Sequence, residues 1–414
     1  MPTSTLISDF KKNNVSASWA KGHPMQWGTE DAKFEYPLPP SAYQIGAGLS
    51  LDEKLLAMVN DTHVKIISID NNATVTTTRV PFAGDLEAVA IVTSPLGGYD
   101  FLVSASNYST NTDAVLQTRL STNGTLASGK WTQYRGQWSD IDDQPFSKTY
   151  RRFFATIRES GVTDVPVYVY SLDSPDSNVT LKGHTDWVVS EAFSPDGSYI
   201  STAAWDGTGK LWNAKTGALL HTWGPFTGTY GPNNTTYTYQ NWLTNFSPDG
   251  KYVLLSIGAG SNTRVNIYPL AALNNSNAEA GQSIDEPILS LRGWSNWVRS
   301  AAWSPDSSTL ALGESGLIVV HSFKENKFVQ RWEAEDKTNE ARGLTFFNEG
   351  KVLAYRVGAG LEAYGLETNL KYRWGPGDYD RYDGGGLNIW WLRTKGWIGG
   401  VEADLKVRFW KAPV

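Results

Sequence analysis

The residues of this chain that could do chemistry are few and scattered. Among its 414 residues there is no cysteine, which excludes disulfides, thiolate metal ligands and cysteine nucleophiles. The five histidines, His23, His63, His184, His221 and His321, occur singly, and none falls in HExxH, so no zinc site is expected. A GxxxxGK[ST] phosphate loop, a GxGxxG turn after a strand and a GxSxG nucleophile elbow are all absent. No cofactor is expected, and any catalysis has to be metal-free and rest on shape, aromatic surface and a few acids or arginines. The charges that stand out lie in otherwise apolar strands: Arg158 in FFATIRES, Arg299 two residues after Trp297, Glu314 in LALGES, Arg356 in LAYRVG and Glu402 in GGVEAD. A charge at the end of such a strand reaches water, pairs or meets a ligand. Arg158, Arg299, Glu314 and Arg356 are the candidates for a catalytic role, with pairing between neighbouring units as the alternative reading. Two loops gather acids, Asp140, Asp142 and Asp143 in one and Asp378, Asp380 and Asp383 in the other. Neither has the full pattern of a cation-binding loop. They read as solvated loops; for 378–383 a calcium site is one alternative and a flexible lid another.

What the chain has in quantity is tryptophan, 18 residues in all, within an aromatic share of 13%. The tryptophans are ordered by internal repetition. AFSPDGSYIST, NFSPDGKYVLL and AWSPDSSTLAL each read as a strand, a polar turn and a second strand. Pro presets φ in such a turn and Gly supplies a positive φ. FFNEGKVLAY is a fourth copy, and looser copies extend the series in both directions. Anchored on the residue before the turn, the units sit at Leu49, Val92, Phe146, Phe193, Phe246, Trp303, Phe347 and Leu392, with spacings of 43 to 57 residues. That is the length of a four-stranded propeller blade with loop insertions. The expectation is one all-β domain over 1–414, a closed β-propeller of eight four-stranded blades, with seven as the alternative. Residues 1–42 are read as a lead-in whose strand near Val15–Trp19 completes the last blade and removes its open edge.

The segment Leu181–Trp223 resembles a WD-repeat unit: it has Gly183-His184, then SPDG, then WDGTGKLWN. The resemblance implies a hydrogen-bonded tetrad within the blade, here His184, Thr202, Asp206 and Trp212, in which each buried polar group finds a partner. Other units match in part. Asp404 and Trp410 fit in the last, where Gly400 occupies the Ser/Thr slot; Asp61 fits in the first, where Ile67 replaces Trp. The resemblance also points to residues just before the innermost strand and just before the tetrad Asp as the binding positions of one rim. Trp187, Trp297 and Trp205 stand there, with Trp138, Trp242 and Trp391 at similar places in other units. Packing between blades is the alternative for each, but together they describe an aromatic-walled cup.

The net charge is -6 and the pI about 5.5, so no basic face is offered to nucleic acid. No stretch approaches the ~20 apolar residues of a membrane span. The N-terminal MPTSTLISDFKKNN has no signal-peptide core. Yet ten Asn-x-Ser/Thr sites, at Asn14, Asn60, Asn72, Asn107, Asn123, Asn178, Asn233, Asn234, Asn245 and Asn274, point toward the secretory pathway, with a cytoplasmic protein rich in polar loops as the alternative. The expected function is a monomeric recognition platform that takes a protein, a peptide or a small apolar molecule at its rim. The alternatives are a cofactor-free biosynthetic enzyme of cyclase, isomerase or pericyclic type, and third a carbohydrate-binding lectin.

Overall fold

The repeated turn sets the register of the whole molecule. In Ser194-Pro-Asp-Gly the Ser194 hydroxyl donates to Asp196 Oδ1 at 2.6 Å and accepts the Tyr199 N–H at 2.9 Å, while Asp196 accepts the Ser198 N–H at 3.0 Å. The same three bonds recur around Ser247 and Asp249 and around Ser304 and Asp306. The fourth position requires a positive φ. Gly197 and Gly250 take it at φ 70° and 69°, and Ser307 and Glu53 adopt it at φ 59° and 60° in their own blades. A turn closed this tightly by its own side chains reverses the chain after the first strand of each unit.

In the computed structural model, residues 3–5, 18–35, 46–60, 62–138, 146–147, 151–157, 163–174, 178–230, 235–258, 260–270, 283–323, 325–333, 340–376, 388–402, 404 and 406–413 are described. Of the described residues 59% lie in strands and 2% in helix, arranged as an eight-bladed β-propeller. The first strands of the blades, in order, are Ala47–Leu49, Asp85–Thr93, Phe146–Ser147, Val188–Phe193, Asn241–Phe246, Ser300–Trp303, Ala341–Phe347 and Ile389–Leu392. All eight anchor residues lie in these strands. Each blade continues antiparallel through its second and third strands to a fourth. Among the described residues no helix is long and apolar enough to cross a membrane.

Apolar side chains alternate to both faces of each sheet, so there is no single core. Eight buried clusters form instead, one between each pair of neighbouring blades. The cluster between the last blade and the first contains Leu392, Val401 and Phe409 with Leu56, Met58 and Ile67. Residues 46–79 thus meet residues 389–411, and the ring closes.

The closing strand is not where the sequence placed it. Ala32–Glu35 pairs with Lys406–Phe409 and completes blade 8. Its AKFE alternation sends Phe34 inward, 2% exposed and edge-on to Phe409, and Lys33 outward to Glu35. Ser18–Trp19, within the segment expected to close the ring, instead pairs in parallel with Leu370–Lys371 at the outer edge of blade 7, followed by Met25–Gln26 on Trp374–Gly375. The Lys371 ammonium over Trp19, 4.3 Å from the ring centre, favours that docking. Further out, Thr3–Thr5 runs parallel to Ser290–Arg292 on blade 5. At the turns, Glu53 of blade 1 accepts the N–H groups of Arg393 and Thr394 of blade 8 at 2.9 and 3.0 Å. Phe34→Ala is expected to lower stability by about 3–5 kcal/mol, the usual cost of emptying a buried Phe site, read as a shift in the urea midpoint. A change within error would mean that Phe34 does not hold the closure.

Candidate functional site

Blade 4 holds a fully connected buried network. His184 is 1% exposed, with Nδ1 2.8 Å from Asp206 Oδ2 and Nε2 2.7 Å from Thr202 Oγ1, and the Trp212 indole N–H donates to the same Oγ1 at 2.9 Å. One proton arrangement satisfies every atom. Neutral His184 donates from Nδ1 to Asp206, accepts the Thr202 hydroxyl proton at Nε2, and leaves Thr202 Oγ1 free to accept from Trp212. Burial holds His184 below its ordinary pKa of 6.5. For Asp206 burial acts upward, but hydrogen bonds from His184, Thr208 and the Thr185 N–H outweigh it and bring the pKa down to about 2.

The other blades solve the same problem with different residues. In blade 6 Glu314, 4% exposed, accepts the backbone N–H groups of Ser295 and Asn296 at 2.9 and 3.0 Å, as Asp206 accepts that of Thr185. In blade 8 the Ser/Thr slot is Gly400, and a Cβ there would collide with the Arg356 guanidinium and the Asn388 carbonyl. The space admits Arg356 from blade 7, which donates to Glu402 at 2.9 Å with both side chains nearly dry. Asp404 pairs with Arg408 at 2.7 Å rather than with a histidine, and the Trp410 indole N–H is buried without an acceptor. A further dry pair, Arg373 with Glu362, is capped by the Tyr355 hydroxyl, 2.8 Å from Glu362. Sequence reasoning missed it, although Gly360, where a Cβ would press on the Arg373 guanidinium, was the available signal. Glu314 and Arg356 therefore pair within the fold. Arg158, Asp61, Asp140, Asp142, Asp143, Asp378, Asp380 and Asp383 lie outside the described residues. Among the described residues no cluster of three or more His, Asp or Glu side chains could hold a metal ion.

The tryptophans are another matter. Asp186 Oδ1 accepts the Trp187 N–H at 2.8 Å and Asn296 Oδ1 the Trp297 N–H at 2.9 Å, so one turn presents a Trp ahead of the first strand in both blade 4 and blade 6. Trp205 sits in the turn after the second strand of blade 4, its N–H bonded to the Trp187 carbonyl at 2.8 Å. Trp242 is the second residue of the first strand of blade 5. These positions share one rim. Trp187 stacks on Trp205 with ring centres 4.9 Å apart, Trp205 meets Trp242 edge-on at 5.2 Å, and Trp242 meets Trp297 at 5.7 Å. Arg299 ends the arc, its guanidinium carbon 3.9 Å from the Trp242 centre and 4.6 Å from that of Trp297, with Glu340 at 3.3 Å. Burial lowers the pKa of Arg299, against the pull of Glu340. All four indole N–H groups are buried without an acceptor. Trp138 and Trp391 are not part of this arc. Trp138 is buried between blades 2 and 3 with Leu102 and Phe153. Trp391 stacks on Phe347 at 5.0 Å, at the opposite end of the strands.

Two expectations follow. Folded His184 and Asp206 both bind protons more weakly than in the unfolded chain, so they stabilise the fold above their unfolded pKa values and cease to as pH falls. The His184 part fades below pH 6.5 and the Asp206 part between 3.8 and about 2. Denaturant midpoints measured from pH 7 to pH 3 should fall steadily, and Asp206→Asn should flatten the limb below pH 4; an unaltered limb would remove Asp206 from the linkage. Gly400→Ser should displace Arg356 and cost about 1–3 kcal/mol by overpacking, whereas an unchanged midpoint would mean that the slot has room to spare.

The family described as WD domain, G-beta repeat matches residues 175–213 and 285–322, which span blade 4 through its third strand and most of blade 6. Apoptotic protease-activating factor 1 of Rattus norvegicus is 36% identical over 106 residues, 25% of this chain and 8% of that protein. Eukaryotic translation initiation factor 3 subunit I of Vanderwaltozyma polyspora is 26% identical over 167 residues, 38% of this chain and 44% of that one. The chain thus spans less than half the length of either curated relative. Among solved structures, Chaetomium thermophilum Sqt1 bound to the N-terminus of the ribosomal protein L10 has a TM-score of 0.64 at 18% identity, over 93% of this chain and all of that one. At that identity the likeness concerns the fold alone. The chain is a closed eight-bladed β-propeller that resembles the WD-repeat family, and two of its repeats match that family directly.

Proposed function

We propose that the protein is a recognition platform, and that the arc Trp187–Trp205–Trp242–Trp297–Arg299 receives a peptide segment of a partner protein. The observation that carries this reading is the continuity of the arc. Four indoles contributed by blades 4, 5 and 6 touch one another in sequence and end on a stacked guanidinium. Ring contacts of this kind are worth roughly 0.5–1.5 kcal/mol each, enough to hold the rings in place before a partner arrives, so that less ordering is needed on binding. The chemistry is mixed. Apolar ring faces stand beside indole N–H groups that lack acceptors, and a peptide brings apolar side chains together with carbonyl oxygens. The WD-repeat fold is consistent with an interaction scaffold. Sqt1, of similar fold, was crystallised bound to the N-terminus of a ribosomal protein, which is in keeping with a peptide as the occupant.

The test is panning a random peptide display library on the folded protein. Peptides enriched on the native chain are expected to lose at least tenfold in affinity for the triple variant Trp187→Ala, Trp205→Ala, Trp297→Ala, and to keep it for Trp391→Ala. Loss on both variants alike, or on neither while both remain folded, would place recognition elsewhere.

A further inference from the structure

A different part of blade 5 carries an unbalanced pair of charges. Arg264 opens its third strand, Arg264–Pro269, and Arg292 ends its fourth, Leu289–Arg292. The two face each other directly across the antiparallel ladder. Like charges so opposed destabilise a sheet unless something neutralises them. Arg299, Arg356, Arg373 and Arg408 each face a carboxylate. Among the described residues Arg264 and Arg292 have none. Among the described residues Arg292 donates only to Ser290 Oγ, at 3.4 Å, and Arg264 meets no hydrogen-bond acceptor, its Nε being buried and unmet.

The surroundings hold Arg264 in place without neutralising it. Its guanidinium carbon lies 5.1 Å from the centre of Phe226 and 5.7 Å from that of Tyr239. Both rings belong to the base of a hairpin, Thr227–Tyr230 paired with Thr235–Thr238, that rises between blades 4 and 5. Rings over a guanidinium face fix its plane and leave its N–H edge available. Burial and the neighbouring Arg292 both lower the Arg264 pKa, the condition that a bound anion would relieve. Arg292 is exposed, so the pair opens to solvent on that side. The adjoining loop adds only neutral polar groups: Thr263, 2% exposed with its hydroxyl unmet, and Asn262, which donates to the Tyr237 hydroxyl at 3.2 Å.

We propose that Arg264 and Arg292 form a binding site for a phosphate dianion, as the free ion or carried on a side chain. Two guanidinium forks offer paired N–H donors in the geometry that phosphate oxygens accept, and their two charges match those of the dianion. A lone carboxylate would leave one of the two positive charges unmet. The site is separate from the tryptophan arc and stands or falls independently of it.

The test uses the full chain and inorganic phosphate, with sodium chloride at matched ionic strength as the reference. Phosphate is expected to raise the melting temperature saturably, and calorimetry to give one site. Arg264→Gln and Arg292→Gln should each weaken phosphate binding at least tenfold, while melting no lower than the native chain when phosphate is absent, because each relieves the repulsion. Lys251→Gln, which removes an exposed charge elsewhere on blade 5, should leave phosphate binding unchanged. Phosphate stabilisation that does not saturate, or that survives both arginine variants, overturns the proposal. A phosphoserine peptide that binds at least tenfold tighter than inorganic phosphate, with no binding by its unphosphorylated form, identifies a modified side chain as the source. Equal affinity of the two identifies the free ion.

Discussion

A four-stranded sheet whose two faces are both apolar cannot end in water. Here every sheet has that character, and the rest of the structure follows from the need to cover sixteen faces with eight sheets. Stacking sheets in a row leaves two faces bare; bending the row into a ring leaves none. The contact that completes the ring, Leu392, Val401 and Phe409 against Leu56, Met58 and Ile67, is therefore a buried apolar cluster like the other seven. It also explains why the tryptophans of one rim meet. Trp205, Trp242 and Trp297 belong to three successive blades, and only the curvature of the ring brings them within touching distance.

Within each blade a second requirement operates, the satisfaction of polar groups that the stacking buries. Blade 4 meets it with His184, Asp206, Thr202 and Trp212, a set with a donor for every acceptor. Blade 8 keeps the tryptophan and the aspartate, Asp404, which pairs with Arg408 instead of a histidine, and an arginine from the neighbouring blade fills the slot vacated at Gly400. Breaking such a dry ion pair from one side is costly, whereas exchanging the whole set for another is not. That asymmetry lets individual blades drift far from a common sequence while the ring persists.

The legibility of the sequence tracks these two requirements. The turns were readable because Ser, Pro, Asp and Gly each act locally, so the eight first strands could be located from one chain. The tryptophans of blades 4 to 6 could be nominated because they recur at fixed distances from those turns. Trp391 was misplaced because only a strand of four residues, Ile389–Leu392, separates one rim from the other in that blade. The partners of Arg356 and Arg373 could not be named because Glu402 lies across an interface between blades and Glu362 across a strand ladder, and spacing carries no record of either. The closing strand was placed too early because Ser18–Trp19 and Ala32–Glu35 are both short and alternating; what separates them is that the second offers Phe34 to Phe409. The sequons are mixed in the same way. Asn72, Asn123 and Asn178 are exposed, but Asn245 accepts the Trp303 indole N–H at 2.9 Å and is held inside.

Ala32–Glu35 leaves the ribosome long before its partner Lys406–Phe409, and the two are separated by nearly the whole propeller. Seven blades can assemble from neighbouring segments as they emerge, but the eighth cannot. Until then the early strand must stay unpaired or be parked elsewhere, and the last interface must wait with an open flank. Contacts of such long sequence separation form slowly. The same feature that leaves no blade face of the finished ring uncovered thus makes its final joining the step most open to capture by another nascent copy or by a chaperone.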